Sequence, residues 1–258
     1  MKIRVLGCGS SGGVPLIGCK CPVCVSTNPR NKRTRVSIVV EEGPTAVLVD
    51  CSPDLRQQFL RADLATVDAA IITHSHADHT HGIDDLRAIN IARKGPLDVW
   101  AAPDCLAEMR RRFDYAFQPA HESYSWYAPV LVPRPILDRR LSIGGLTVDT
   151  FWQSHGEERE PTLGLRFGRF AYSTDAKELS EEAFAALAGV EVWLVDCLME
   201  KPNFGHSHLE RTLGWIERVK PRRAVLTHMN HTVDYDSWTA RMPAGVELAY
   251  DGLEIDLG

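Results

Sequence analysis

Between Ile71 and Gly82 an apolar run ends in a burst of side chains that bind metals. His74, His76, Asp78 and His79 are spaced H-x-H-x-D-H, and His81 follows. Imidazole nitrogens and carboxylate oxygens suit divalent first-row cations. Four such ligands within six residues make metal chemistry the first reading of the chain. His81 stands outside the repeat and reads as a supporting or helix-start residue. A second group, Cys19, Cys21 and Cys24, has the spacing C-x-C-x2-C. Thiolates this close converge on one soft tetrahedral ion, most often zinc, and three of them leave a fourth ligand to be found elsewhere.

More ligand types follow apolar runs in the second half. His155 comes after Leu146–Trp152, Asp175 after the paired runs Leu163–Phe167 and Arg169–Tyr172, and His228 after Ala224–Thr227. Strands of one sheet can present such terminal residues on a shared edge. His74, His76 and His155 then form one site with an open position, Asp78, His79 and His228 a second, and Asp175 bridges with its two oxygens. Two cations held this way lower the pKa of a water between them toward about 7.

The remaining elements read as the frame for these residues. Ile3–Leu6 is strand-like and meets the glycine-rich stretch Gly7–Pro15, which is either a phosphate-cradling loop or a tight turn beside a crowded site. Val36–Val40 and Ala46–Val49 form a hairpin. Asp50, at the end of the second run, reads as a helix cap or loop anchor. Asp54–Ala62 is helical, and Val67–Thr73 is the strand that delivers the histidine loop. Ile83–Asn90 reads as a helix whose N-terminal dipole faces the site. Leu97–Ala101 is a strand and Cys105–Tyr115 a helix. Tyr115–Pro135 reads as an aromatic, proline-rich loop containing a loop histidine, His121. Leu179–Leu187 and Leu209–Val219 are helical, Val190–Val195 is a strand, and Glu247–Leu257 closes with strand character.

Composition sets limits. A chain of 258 residues buries a substantial core and needs no disulfide staples, and its seven cysteines are an odd number. The net charge of −5 argues against a nucleic-acid partner, which requires a basic surface. No run approaches the roughly 20 apolar residues of a membrane span. Met1-Lys2 leads straight into a strand without a secretory leader pattern. The expectation is a cytoplasmic chain without a membrane partner.

The H-x-H-x-D-H loop together with His155, Asp175 and His228 resembles the metallo-β-lactamase superfamily. Within it the chain is similar to the phosphodiesterases that accompany the carbon–phosphorus lyase pathway. The likeness extends to Gly12-Gly13-Val14-Pro15, the cysteine cluster, Leu86-Arg87, His206, Thr227-His228-x2-His231 and Asp251–Ile255. It implies a four-layer αββα sandwich over residues 1–258, with a zinc-binding insertion near 19–24. It further implies two active-site cations, Mn²⁺ or Zn²⁺, and a structural Zn²⁺ on Cys19, Cys21, Cys24 and His231. The family's catalytic acid maps onto His206, and Asp78 orients the nucleophile as well as binding metal. Two residues on, where the family is acidic, stands His208, so His208 remains a second candidate for the acid and, with Arg87, a candidate substrate contact. The substrate implied is a small or cyclic phosphodiester of the cyclic ribose phosphate or 2′,3′-cyclic nucleotide type, and a homodimer is implied as well. A tRNA 3′-processing-type endonuclease and a non-catalytic carrier, like the pyrroloquinoline-quinone cousins, are the alternatives.

Overall fold

The β-branched runs around residues 37–49 pair antiparallel across a short turn, in which Gly43 takes the left-handed φ of +55°. This hairpin starts the first of two sheets in a computed structural model that describes residues 1–119, 128–156 and 161–258. In chain order the strands are β1 (Lys2–Gly7), β2 (Ser37–Glu42), β3 (Thr45–Val49), β4 (Ala69–Ile71), β5 (Leu97–Ala101), β6 (Leu131–Pro135), β7 (Arg140–Ile143), β8 (Leu146–Gln153), β9 (Thr162–Phe167), β10 (Phe170–Ser173), β11 (Val192–Asp196), β12 (Arg223–Thr227), β13 (Val246–Leu248) and β14 (Leu253–Asp256). The helices are α1 (Pro22–Val25), α2 (Leu55–Arg61), α3 (Ala77–Thr80), α4 (Leu86–Arg93), α5 (Pro103–Arg112), α6 (Glu181–Leu187), α7 (Leu209–Val219) and α8 (Tyr235–Thr239).

The two seven-stranded sheets run β14-β1-β2-β3-β4-β5-β6 and β13-β12-β11-β10-β9-β8-β7. Apolar side chains from both, such as Val40, Leu48, Leu165 and Val195, merge into one buried cluster. Helices α2, α4 and α5 cover the first sheet, and α6 and α8 lie on the second. The result is the αββα sandwich that the resemblance implies. No helix among the described residues is long and apolar enough to cross a membrane.

Strand direction matters most for the site. β3, β4 and β5 are mutually parallel, so Asp50 and the histidine loop leave the first sheet at the same end. In the second sheet β10, β11 and β12 are parallel. β8 reaches β10 through two antiparallel steps, which restores its direction. His155, Asp175, Asp196 and His228 therefore all follow C-terminal strand ends along one edge.

Several expectations are corrected. The stretch Tyr115–Pro135 is not loop throughout, because β6 pairs parallel with β5 at its end. Its prolines suit an edge strand, where a missing N–H faces no partner. His121, Tyr124, Trp126 and Tyr127 of that stretch lie outside the described residues. Glu247–Leu257 is not one strand: β13 ends in the second sheet and β14 crosses to the first, beside β1. The helix after the histidine loop starts only at Leu86, behind a 3₁₀ turn at Ile83–Asp85. The loop carries its own single-turn helix, α3, and His81 ends that helix rather than starting one, resting edge-on against Phe113.

Backbone crowding explains one glycine. The Gly82 N–H donates to the Cys51 carbonyl at 2.9 Å, and a Cβ at position 82 would lie 2.0 Å from the Ser52 carbonyl oxygen. Gly82→Ala must push the end of the histidine loop away from the β3 exit. Thermal denaturation should show a melting temperature lowered by roughly 3–10 °C; an unchanged melting temperature would remove this seam as a constraint.

Candidate metal centre

The side chains that the sequence placed at strand ends meet in two overlapping quartets. One is His74, His76, His155 and Asp175; the other is Asp78, His79, Asp175 and His228, and within each quartet the ligand atoms all lie within 4.8 Å of one another. They come from both sheets, not from the edge of one, because the histidine loop leaves β4 in the first sheet while His155, Asp175 and His228 leave β8, β10 and β12 in the second. Three turning points near the centre hold left-handed backbone: Asp50 (φ 63°), Asp175 (φ 52°) and His228 (φ 58°).

Asp175 joins the quartets. Its Oδ1 is 3.8 Å from both His74 Nε2 and His155 Nε2, while its Oδ2 is 3.1 Å from His79 Nε2 and 3.3 Å from His228 Nε2. Asp78 Oδ2 faces the same two nitrogens, at 3.4 Å from His79 and 3.5 Å from His228. The Nε2 atoms of His74, His79 and His228 are buried without a hydrogen-bond partner of acceptable geometry, despite these short distances. On the other side His155 Nε2 lies 3.3 Å from His76 Nδ1, two ring nitrogens facing each other. Buried polar atoms normally find partners. A set of orphaned, converging nitrogens around a two-oxygen carboxylate fits a pair of divalent cations.

Protonation in the metal-free cluster says the same. Burial, and then the neighbouring His79, push His74 well below the usual imidazole range, and burial lowers His155. For His79 burial works against charge, but Asp175, Asp78 and Asp50 outweigh it and raise the pKa. For Asp78 and Asp175 burial pushes upward, and the surrounding imidazoles outweigh it and hold both carboxyls well below the ordinary range. The centre keeps its carboxylates ionised and needs positive charge between them.

A supporting layer orients the ligands. Asp50 is fully buried, accepts from the Thr73 N–H (2.8 Å) and hydroxyl, and lies 2.8 Å from His79 Nδ1, which turns Nε2 inward. It caps no helix, so the anchor half of its expected role is the one observed. The His155 Nδ1–H donates to the Gly205 carbonyl at 2.8 Å. Asp196 was not singled out in the sequence, although it ends the expected strand Val190–Val195. It lies 3.0 Å from His206 Nδ1 and also accepts from the Ala176 N–H at 2.8 Å. His206 stacks on His228 at 4.6 Å between ring centres and stands edge-on to His155 at 4.8 Å.

A cavity of about 470 Å³ opens over the centre, lined by His76, Asp78, His155, Asp175, His228 and His206. His208 does not line it; it is buried at the N-cap of α7, where burial lowers its pKa. Arg87, exposed on α4, does not line it either. No residue of the 83–90 segment lines this cavity.

The thiols of Cys19, Cys21 and Cys24 form a separate group within 4.8 Å of one another. Backbone N–H groups point at their sulfurs: Leu16 at Cys24, Cys21 at Cys19 and Cys24 at Cys21, at 3.3–3.4 Å. That donor set fits one zinc ion. The ring nitrogens of His231 are not among the converging atoms, and the residue meets the group by its carbonyl oxygen, 3.5 Å from Cys21 Sγ.

The model of the beta-lactamase superfamily domain matches residues 45–229. A protein named octanoyltransferase from Porphyromonas gingivalis is 33% identical over 98% of this chain, which covers 51% of it; the chain spans about half the length of that relative. Among solved structures, a diphosphatase of the PhnP family superposes with a TM-score of 0.91 at 31% identity, covering 100% of this chain and 98% of its own. Zn²⁺-bound PqqB from Methylobacterium extorquens superposes with a TM-score of 0.80 at 23% identity over 100% of both chains, a likeness of fold.

Replacing the Asp50 carboxylate tests the supporting layer. Asp50→Asn keeps the side-chain volume but weakens the hold on His79. Calorimetric titration with Mn²⁺ or Zn²⁺ should show affinity for the ion on the His79 side reduced about 10–100-fold; wild-type affinity would show that His79 needs no such partner.

Proposed function

The chain belongs to the beta-lactamase superfamily, and on that premise we propose that it is a metal-dependent phosphodiesterase of small or cyclic phosphodiesters, of the cyclic ribose phosphate or 2′,3′-cyclic nucleotide type. The observation that carries the reading is His206, a histidine anchored beside the centre but belonging to neither quartet. A hydrolase of esters with poor leaving groups requires such a residue; a carrier does not.

In this reading His74, His76 and His155 hold one divalent ion and Asp78, His79 and His228 the other, either Mn²⁺ or Zn²⁺, with Asp175 shared. When bound, the pair supplies an activated water and neutralises the phosphate charge. Asp78, on the cavity wall, also orients the attacking water. The His206 Nδ1 contact with Asp196 leaves Nε2 to carry the proton for the leaving group. Burial alone would strip that proton. In the metal-free cluster the carboxylates of Asp196, then Asp175 and Asp78, outweigh burial and push the His206 pKa up to about 9; with cations on Asp175 and Asp78, Asp196 is the carboxylate left to hold the proton. An alkoxide leaves poorly unless it is protonated as the ester bond breaks, which is the step His206 serves. The similarity to a PhnP-family diphosphatase supports phosphoryl chemistry over attack on carbonyl carbon. The formal charge of −5 supports a small substrate over a tRNA.

Mn²⁺- or Zn²⁺-loaded protein should hydrolyse bis(p-nitrophenyl) phosphate and 2′,3′-cyclic nucleotides, and turn over a thioester and a lactam poorly. The absence of phosphodiester turnover with either metal would sink the proposal. His206→Ala should lower kcat about 10²-fold or more for alkoxide leaving groups and far less for an aryl oxide. Equal losses on both would remove the acid role.

The cysteine group is read as a structural Zn²⁺ site on Cys19, Cys21 and Cys24, with His231 as the fourth ligand that the resemblance supplies. Titration with a thiol-reactive mercurial should release one zinc equivalent that tracks unfolding rather than turnover, whereas release of no zinc would leave the thiols as reduced core cysteines.

A further inference from the structure

One wall of the catalytic cavity is not polar. Phe204 lines it, and the residue is 80% exposed, second only to Ile17 among the large hydrophobic residues described. Among the described residues no other ring rests against it. An exposed phenylalanine on a surface loop is unremarkable when the loop is loose, but this loop is tied on both sides of the ring. Asn203 Oδ1 accepts the Gly205 N–H at 2.8 Å. The Gly205 carbonyl accepts from the His155 Nδ1–H at 2.8 Å and from the Gly156 N–H at 3.3 Å. His206 is held by Asp196. The chain thus fixes Phe204 between a metal-ligand support and the catalytic histidine, with its ring presented to solvent at the cavity.

We infer that Phe204 is a specificity-determining platform on which a planar group of the substrate, a nucleobase or an aryl ring, stacks while the phosphodiester sits at the metal centre. This rests on the phosphodiesterase reading and narrows it to esters that carry such a group. Stacking on an aromatic face tolerates any base, because every base has a π-face, and it covers apolar ring surface that is otherwise exposed. The cavity volume of about 470 Å³ admits a nucleotide-sized ligand. Among the described residues no lysine or arginine lines it, so nothing there is matched to a second phosphate. Ser11 sits on the glycine-rich turn that the Gly13 N–H closes onto the Ser10 carbonyl at 2.8 Å, and its hydroxyl is available to a ribose or phosphoryl oxygen.

The test compares metal-loaded wild type and Phe204→Ala on 2′,3′-cyclic AMP and on the 2′,3′-cyclic phosphate of methyl riboside, which differ by the base. Wild type should show a KM about tenfold lower for the nucleotide. Phe204→Ala should raise that KM about tenfold and erase the preference, with kcat within about twofold of wild type, and Phe204→Trp should restore it. If both esters are hydrolysed and Phe204→Ala retains the preference, the platform is overturned while the phosphodiesterase reading stands. If wild type hydrolyses neither ester, that reading fails. The platform is then judged by calorimetry with AMP, where equal affinity for wild type and Phe204→Ala overturns it and a loss of about tenfold in the variant supports it.

Discussion

The centre depends on one carboxylate facing two ways. Asp175 directs one oxygen to His74 and His155 and the other to His79 and His228. Like charges cannot be stacked in a dry interior, and five imidazoles cannot all find hydrogen-bond partners among themselves. A buried carboxylate at the midpoint, with Asp78 beside it, faces unpartnered imidazole nitrogens and sets where positive charge must sit. That demand reaches outward. Asp50 must fix the tautomer of His79, the Gly205 carbonyl that of His155, and Asp196 must hold His206 without entering either quartet.

The sandwich meets this demand by strand direction. Ligands that must meet within a few ångströms are spread from His74 to His228, and no local geometry brings them together. Parallel neighbours do, because their C-terminal ends lie at one level. The site then occupies the edge where two sheets meet, with one sheet supplying a dense local loop and the other supplying single residues from separate strands.

This division explains what could be read from the sequence. The histidine loop was legible because its ligands are consecutive, and Asp175 and His228 because each ends an apolar run. The αββα sandwich came from the resemblance those residues carry. Asp196 ends such a run too, but an aspartate that orients a histidine rather than joining a quartet has no spacing signature of its own. Asp50 was noticed and assigned to a local task, since only the folded chain shows that His79 lies against it. The assumption of one shared sheet failed because alternating strand runs reveal pairing partners poorly once the chain crosses between layers. The same limit hid the split of the C-terminal stretch into β13 and β14. His231 comes from the resemblance, and in the folded chain its carbonyl oxygen lies 3.5 Å from Cys21 Sγ.

The left-handed backbone at Asp50, Asp175 and His228 carries strain. Residues with a Cβ hold such angles at a cost on the order of 1 kcal/mol or more each, whereas glycine adopts them freely. At these three positions the chemistry and the scaffold therefore pull in opposite directions. A chain of this fold without a centre to build would be less strained with glycine there. An acid, an acid and an imidazole stand at the three positions instead, each directed at the cluster.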